Sequence, residues 1–101
     1  MVKYQIVERE EFSQWLSDLK DVKTRLRLIK RLRRASLGNL GDVRSVGDGL
    51  FEMREFFGPG WRMYYIQRHQ LLVVMLGGGE KSTQVKDIQR AKALAQEVTN
   101  E

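Results

Sequence analysis

Apolar residues recur along the chain with two different periods. Phe12, Trp15, Leu16 and Leu19 are spaced by three and four, which predicts a helix over 10–19 with one apolar stripe. A polar joint at 18–21 precedes a second helical stretch, 22–37. There Val22, Leu26, Ile29, Leu32 and Ser36 share one side, widened by Leu28 and Ala35. Gly38 follows as a C-terminal stop. Elsewhere the period falls to two. Tyr4 and Ile6 mark a short strand over 4–7, and three more strands are predicted at 50–57, 61–67 and 71–76. Gly58-Pro59-Gly60 and Arg68-His69-Gln70 turn the chain between these three. The glycine-rich stretch 38–49 is predicted as loop. Ser82 is placed as the cap of a last helix, 83–98, with Val85, Ile88, Ala91, Ala95 and Val98 facing inward.

The order β-α-α-β-β-β-α predicts an α+β fold: a helical hairpin packed on a mostly antiparallel four-stranded sheet. The strand 71–76 is apolar on both faces, which places it centrally, under helices.

Alternation sorts side chains between the two sheet faces. Met53 and Met63 fit a core face, which puts Arg54, Arg62 and Tyr64 together on the other. A hairpin closed symmetrically about Pro59 sets Arg54 opposite Tyr64 and Phe56 opposite Arg62. A one-residue slip would bury both arginines, so the facing is well specified. Lys81 lies just beyond the last strand, after Gly77-Gly78-Gly79, where the backbone can bend closely, and at the start of the last helix, whose amides attract anions. Arg54, Arg62 and Lys81 can therefore hold a phosphate together. Solvated strand charges paired with Glu52 or Glu55 are the plain alternative.

Composition narrows the chemistry. With 101 residues and 42% hydrophobic content, the chain is one domain, 1–101, with a single core. It has no cysteine, which excludes disulfides, zinc–thiolate sites and thiol nucleophiles. No HExxH, paired carboxylates, clustered metal ligands or phosphate-binding Gly-x-x-x-x-Gly-Lys-Ser/Thr motif is present, so no metal or cofactor is expected. His69, the single histidine, falls in a turn. No leader or membrane-spanning apolar run is evident in the sequence, and a soluble, cytoplasmic protein is expected. Lys and Arg number 18 against 13 Asp and Glu, a net charge of +5 that favours polyanionic partners. Lys23, Arg27, Lys30, Arg31 and Arg34 collect opposite the apolar stripe of the second helix. They can dock on RNA phosphates or simply form a solvated face.

At these residues the sequence resembles the RelE/ParE superfamily, in particular its HigB-like "addiction module killer protein" branch. The likeness is carried by Gly38-Asn39-Leu40-Gly41-Asp42-Val43, Val46-Gly47-Asp48-Gly49 and Glu52-Met53-Arg54. It continues through Gly58-Pro59-Gly60-Trp61-Arg62-Met63-Tyr64-Tyr65 and Gly78-Gly79-Glu80-Lys81-Ser82-Thr83-Gln84, with Asp87-Ile88 and Ala91. Trp61, Met53 and Glu80 depart from the branch's usual tyrosine, leucine and aspartate; the glutamate adjoins Lys81 and could alter its position. The resemblance implies a RelE-like toxin of a toxin–antitoxin pair, a metal-independent endoribonuclease that cuts messenger RNA on the ribosome. It implies Arg54, Arg62 and Lys81 as basic active-site residues and, more loosely, Tyr64. It also implies a monomer when free and a hetero-oligomer with a cognate helix-turn-helix antitoxin. A ParE-like gyrase poison and a non-catalytic RNA- or protein-binding module of the same fold stay open beside it.

Overall fold

The computed structural model describes residues 2–100. Its elements run β1 (Gln5–Glu8), α1 (Glu10–Asp18), α2 (Val22–Ser36), β2 (Val43–Gly47), β3 (Leu50–Arg54), β4 (Trp61–Arg68), β5 (Leu72–Glu80), a 3-10 turn (Lys81–Thr83) and α3 (Gln84–Thr99). The sheet has five strands in the order β1-β5-β4-β3-β2. β1 runs parallel to β5, and every other pair is antiparallel. No helix among the described residues is long and apolar enough to cross a membrane.

The expected α+β arrangement is present, but the sheet has one strand more than predicted. β2 occupies the second half of the stretch predicted as loop. Val43 pairs with Met53 and Ser45 with Phe51, and the hairpin closes through Gly47-Asp48-Gly49, all three at positive φ. Glycine density pointed to a loop because it marks the turn, while the two β-branched residues beside it, Val43 and Val46, were too few to announce a strand. β5 in turn runs on through Gly77, Gly78 and Gly79, which are extended rather than bent.

The helices cover both faces. Phe12 and Leu16 of α1 and Leu28, Leu32 and Ala35 of α2 pack on Met53, Met63, Tyr65, Val73 and Met75. On the opposite face Ala91, Leu94, Ala95 and Val98 of α3 pack on Leu50, Tyr64, Ile66, Val74 and Leu76. Val85, expected inward, is 74% exposed, and Leu94 takes the inner side with Ala91 and Ala95. The buried arc of α2 is also displaced from the expected one. Leu28, Arg31, Leu32, Ala35 and Thr24 face in, while Val22, Leu26 and Ile29 are exposed.

Local chemistry fixes the helix ends. Asp21 caps α2, accepting from the Lys23 amide at 3.2 Å and the Thr24 hydroxyl at 2.8 Å. At its other end Asn39 N donates to Arg34 O and Gly38 N to Ala35 O, a Schellman closure with Gly38 at φ 108°. The last helix starts differently from expectation. Glu80, not Ser82, forms the cap: its side chain accepts from the Thr83 amide while the Thr83 hydroxyl accepts from Glu80 N.

The glycine run in β5 permits two close approaches, one on each face. A Cβ on Gly78 would lie 2.5 Å from the Trp15 ring, and one on Gly79 would lie 1.8 Å from Asp87 Oδ2, whereas one on Gly77 would meet nothing within 4 Å. Gly78→Ala and Gly79→Ala should therefore each destabilise the fold by about 1–3 kcal/mol, as overpacking does. Gly77→Ala should be neutral or stabilising by up to about 1 kcal/mol through loss of unfolded-state freedom. Urea unfolding of the three variants checks this contrast.

Candidate functional site

The hairpin β3–β4 pairs Glu52 with Tyr64, Met53 with Met63 and Arg54 with Arg62. The facing agrees with the alternation, but the register differs by two residues from symmetric closure about Pro59. A shift of two keeps every side chain on its own face, so burial cannot distinguish the two registers. The turn decides: Glu55 N donates to Trp61 O at 2.9 Å and Gly60 N to Phe57 O at 3.1 Å, which centres the hairpin one residue earlier. Arg54 and Arg62 thus stand directly opposite each other.

Lys81 joins them. Its amide donates to Gly60 O at 2.9 Å. A Cβ on Gly60 would lie 3.3 Å from Lys81 Cβ and 3.7 Å from Arg62 Nη1, so the glycine, at φ 81°, lets the two cationic side chains pack over the turn. Lys81 is exposed and forms no ion pair among the described residues. Glu80, its neighbour, is occupied in the cap and leaves the ammonium group free.

Both arginines already carry carboxylate partners. Arg54 donates from Nε and Nη2 to Asp42 Oδ1, at 3.3 and 3.0 Å. Arg62 is buried at 5% exposure; its Nη1 donates to Glu55 O and Trp61 O, both at 3.2 Å. Its Nε lies 3.7 Å from Oε1 of Glu52, too far for a hydrogen bond. Glu52 is wholly buried. Gln84 donates to its Oε2 at 2.7 Å, and Arg44 approaches Oε1 at 3.6 Å. Two guanidinium groups thus surround one carboxylate, and this layer keeps a net positive charge toward the sheet end.

Tyr64 does not reach that end. It is wholly buried beneath α3, and its hydroxyl makes no hydrogen bond of acceptable geometry. It cannot stack on a base. Burial first, and then the nearby Glu52 charge, push its ionisation well above that of a free tyrosine.

Of the basic residues on α2, Lys23, Arg27, Lys30 and Arg34 are exposed. Arg31 is not: at 3% exposure it lies under the 38–42 loop. Its guanidinium donates to Leu40 O, Asp42 O and Arg54 O, with the contacts to Asp42 and Arg54 at 2.8 and 2.9 Å, and pairs with the Glu55 carboxylate. It is a structural clamp and is removed from the expected RNA-docking face. Arg34 instead shares a depression of about 230 Å³ with Asn39, Asp42, Arg54 and Phe56. Two larger depressions, one between α1 and α3 and one beside His69, lie away from the cationic cluster. Among the described residues no group of His, Cys, Asp and Glu could hold a metal.

Two residues of the site went unrecognised in the sequence. Phe56 is 71% exposed, with the guanidinium carbons of Arg54 and Arg62 at 5.5 and 5.6 Å from its ring centroid. Its signal was available: an aromatic side chain on the same predicted face as Arg54. Glu52 shared that face too, but nothing in the alternation shows that α3 covers it.

This architecture is a RelE-like fold. It superposes on a structure of the E. coli toxin RelE, a mutant in the free state, with a TM-score of 0.63, covering 89% of this chain and 98% of that one at 14% identity. In sequence, the chain is 47% identical over 87 residues to an uncharacterized protein of Haemophilus influenzae, covering 86% of this chain and 88% of that protein, and it belongs to the same family. No family model matches the sequence.

Arg31→Ala should cost about 3–5 kcal/mol in urea unfolding, since it strands the partly buried Glu55 carboxylate and the carbonyls of Leu40 and Arg54. Lys30→Ala, one residue away and exposed, should change stability by less than about 0.5 kcal/mol. Stability should also fall as pH rises above about 10, where the unfolded chain releases a tyrosine proton that folded Tyr64 retains. Tyr64→Phe should flatten that decline without abolishing it, because burial raises Tyr65 in the same direction. Unfolding free energies between pH 8 and about 11 measure the difference.

Proposed function

We propose that this protein is the toxin of a toxin–antitoxin pair, a metal-independent endoribonuclease that cuts messenger RNA on the ribosome. The observation that carries the reading is the placing of Arg62 beside Lys81 over the Gly60 turn, with Arg54 opposite Arg62 on the neighbouring strand, on a RelE-like fold. The sequence resemblance to the HigB-like branch supports it independently.

Cleavage of this kind needs few groups. The ribose 2′-hydroxyl gives up its proton and its oxygen bonds to the adjacent phosphorus; the bond to the 5′-oxygen breaks, and that oxygen takes a proton. Negative charge builds on the non-bridging oxygens on the way. Fixed guanidinium and ammonium donors aimed there lower the barrier. Lys81, unpaired and exposed, is the group most available to the phosphate. Arg62 is held in place by Glu52 and two carbonyls, so it presents a preorganised charge rather than a mobile one. Arg54 shares its charge with Asp42, and substrate phosphate would compete for it. With no histidine at the cluster, proton transfer gains little from the protein, and positioning on the ribosome supplies proximity.

The partners follow from the surface. Exposed Lys23, Arg27, Lys30 and Arg34 offer cations to ribosomal RNA. The adjoining Val22, Leu26 and Ile29 form an exposed apolar stripe suited to a protein partner. The resemblance to the HigB-like branch implies that this partner is a cognate helix-turn-helix antitoxin, within a hetero-oligomer.

A second reading is favoured by one observation: both arginines have carboxylates within 4 Å. A non-catalytic RNA-binding module of this fold would tolerate that pairing better than a nuclease does.

Primer extension on translated messages after induction separates them, with wild type beside Lys81→Ala. Lys81 is the cleanest probe because no internal partner is lost. The nuclease reading expects cuts within coding regions, reduced about 10²-fold or more in the variant. Intact messages with growth arrest would favour the binding module, and intact messages with a DNA-damage response would favour a gyrase poison.

A further inference from the structure

We propose that Phe56 is a nucleobase-stacking platform, which with Arg54 grips one unpaired base and a flanking phosphate in single-stranded RNA, while buried Arg62 lends positive charge from beneath. The inference rests on the RNA-directed reading of the same site and adds the element that contacts the base.

Adjacent Phe56 and Phe57 are treated very differently by the fold. Phe57 packs against the α1–α2 core, and the Arg27 guanidinium lies over its ring at 3.8 Å from the centroid. Phe56 points the other way and is 71% exposed. A lone exposed apolar residue needs no explanation. This one differs because it is held and flanked. Its backbone sits between Arg54, paired with Arg62, and the turn closed by Glu55 N to Trp61 O and Gly60 N to Phe57 O, so the ring is displayed from a fixed frame. Guanidinium carbons stand at 5.5 and 5.6 Å from its centroid. Those distances leave the ring accessible, unlike that of Phe57.

An accessible aromatic face between cations is the arrangement that binds single-stranded nucleic acid. Bases stack on the ring, and the cations take the backbone. The depression beside Phe56 is lined by Arg31, Arg34 and Arg54 against Asp42 and Glu55, and its small excess of positive charge extends toward α2. Duplex RNA hides its base faces within the stack and would not engage such a platform.

The test is fluorescence anisotropy with a labelled RNA of about six nucleotides, a length within the range such sites cover. Its riboses are 2′-O-methylated so that it cannot be cut. A second oligomer has the same backbone with abasic central positions. For the base-bearing oligomer, Phe56→Ala should weaken binding about tenfold or more, and Phe56→Trp should bind at least as tightly as wild type. For the abasic oligomer, Phe56→Ala should leave affinity within about twofold, because no base remains to stack. Unchanged affinity of Phe56→Ala for the base-bearing oligomer would overturn the proposal. Equal losses on both oligomers, or no measurable binding by wild type, would also overturn it. Cleavage plays no part in this readout. Intact messages in cells beside a base-dependent Phe56 effect would refute the nuclease and leave the platform standing; cut messages with a silent Phe56 would do the reverse.

Discussion

The guanidinium of Arg31 ties the site to the fold. It reaches from the inner side of α2 and satisfies carbonyls of Leu40, Asp42 and Arg54 while pairing with Glu55. These groups lie on two separate pieces of chain: the loop between α2 and β2, and the end of β3 with the residue that follows it. Without a multidentate donor there, the Leu40 and Arg54 carbonyls and the Glu55 carboxylate would lose the donor that satisfies them in a place with little solvent. Gly41 belongs to the same arrangement, because a Cβ at that position would lie 2.9 Å from the guanidinium. Asp42 then passes the constraint on. Its carbonyl accepts from both Arg31 and the Arg54 amide, and its carboxylate holds the Arg54 side chain. The position of one site arginine is thus set by a buried arginine on a different element.

A second charged layer lies under the other arginine. Glu52 is enclosed between the sheet and α3, and a buried carboxylate needs nearby positive charge or hydrogen bonds. Arg62, Arg44 and Gln84 supply them. Arg62 therefore does two things, balancing Glu52 within the fold and facing the Gly60 turn. This coupling explains why a basic residue can stay rigid at 5% exposure near the end of a sheet. It also means that substitutions at Arg62 disturb the fold and the site together, while Lys81 can be changed alone.

Much of the architecture was legible because it follows from period and face. Alternation put Met53 and Met63 on one side and Arg54, Arg62 and Tyr64 on the other, and the strand after Leu71 lies inside the sheet under helices as expected, although β4 rather than β5 is the middle strand. The failures have a common cause: local pattern allowed two answers and tertiary contacts chose. On α2 both Val22-Leu26-Ile29 and Leu28-Leu32-Ala35 have helical spacing, and only the sheet beneath decides which is buried. Arg31 looked like one more cation among Lys23, Arg27, Lys30 and Arg34, since a buried multidentate arginine has no sequence mark of its own. Tyr64 was placed on the correct face, but that face is covered by α3 at its position and open only farther along. The hairpin register was free to shift by two at no cost in facing.

Strand β1 has a consequence for how this molecule comes into being. Its partner is β5, so Gln5 must wait for Leu72 before it can pair. During synthesis the helical hairpin emerges early, with its apolar residues lacking most of the sheet they will cover. Such late, long-range closure slows folding and leaves a nascent chain open to chaperones and proteases. Lys81 leaves the ribosome directly behind β5. The cationic cluster consequently assembles in the same step that completes the sheet, and a truncated chain ending short of that strand would contain neither.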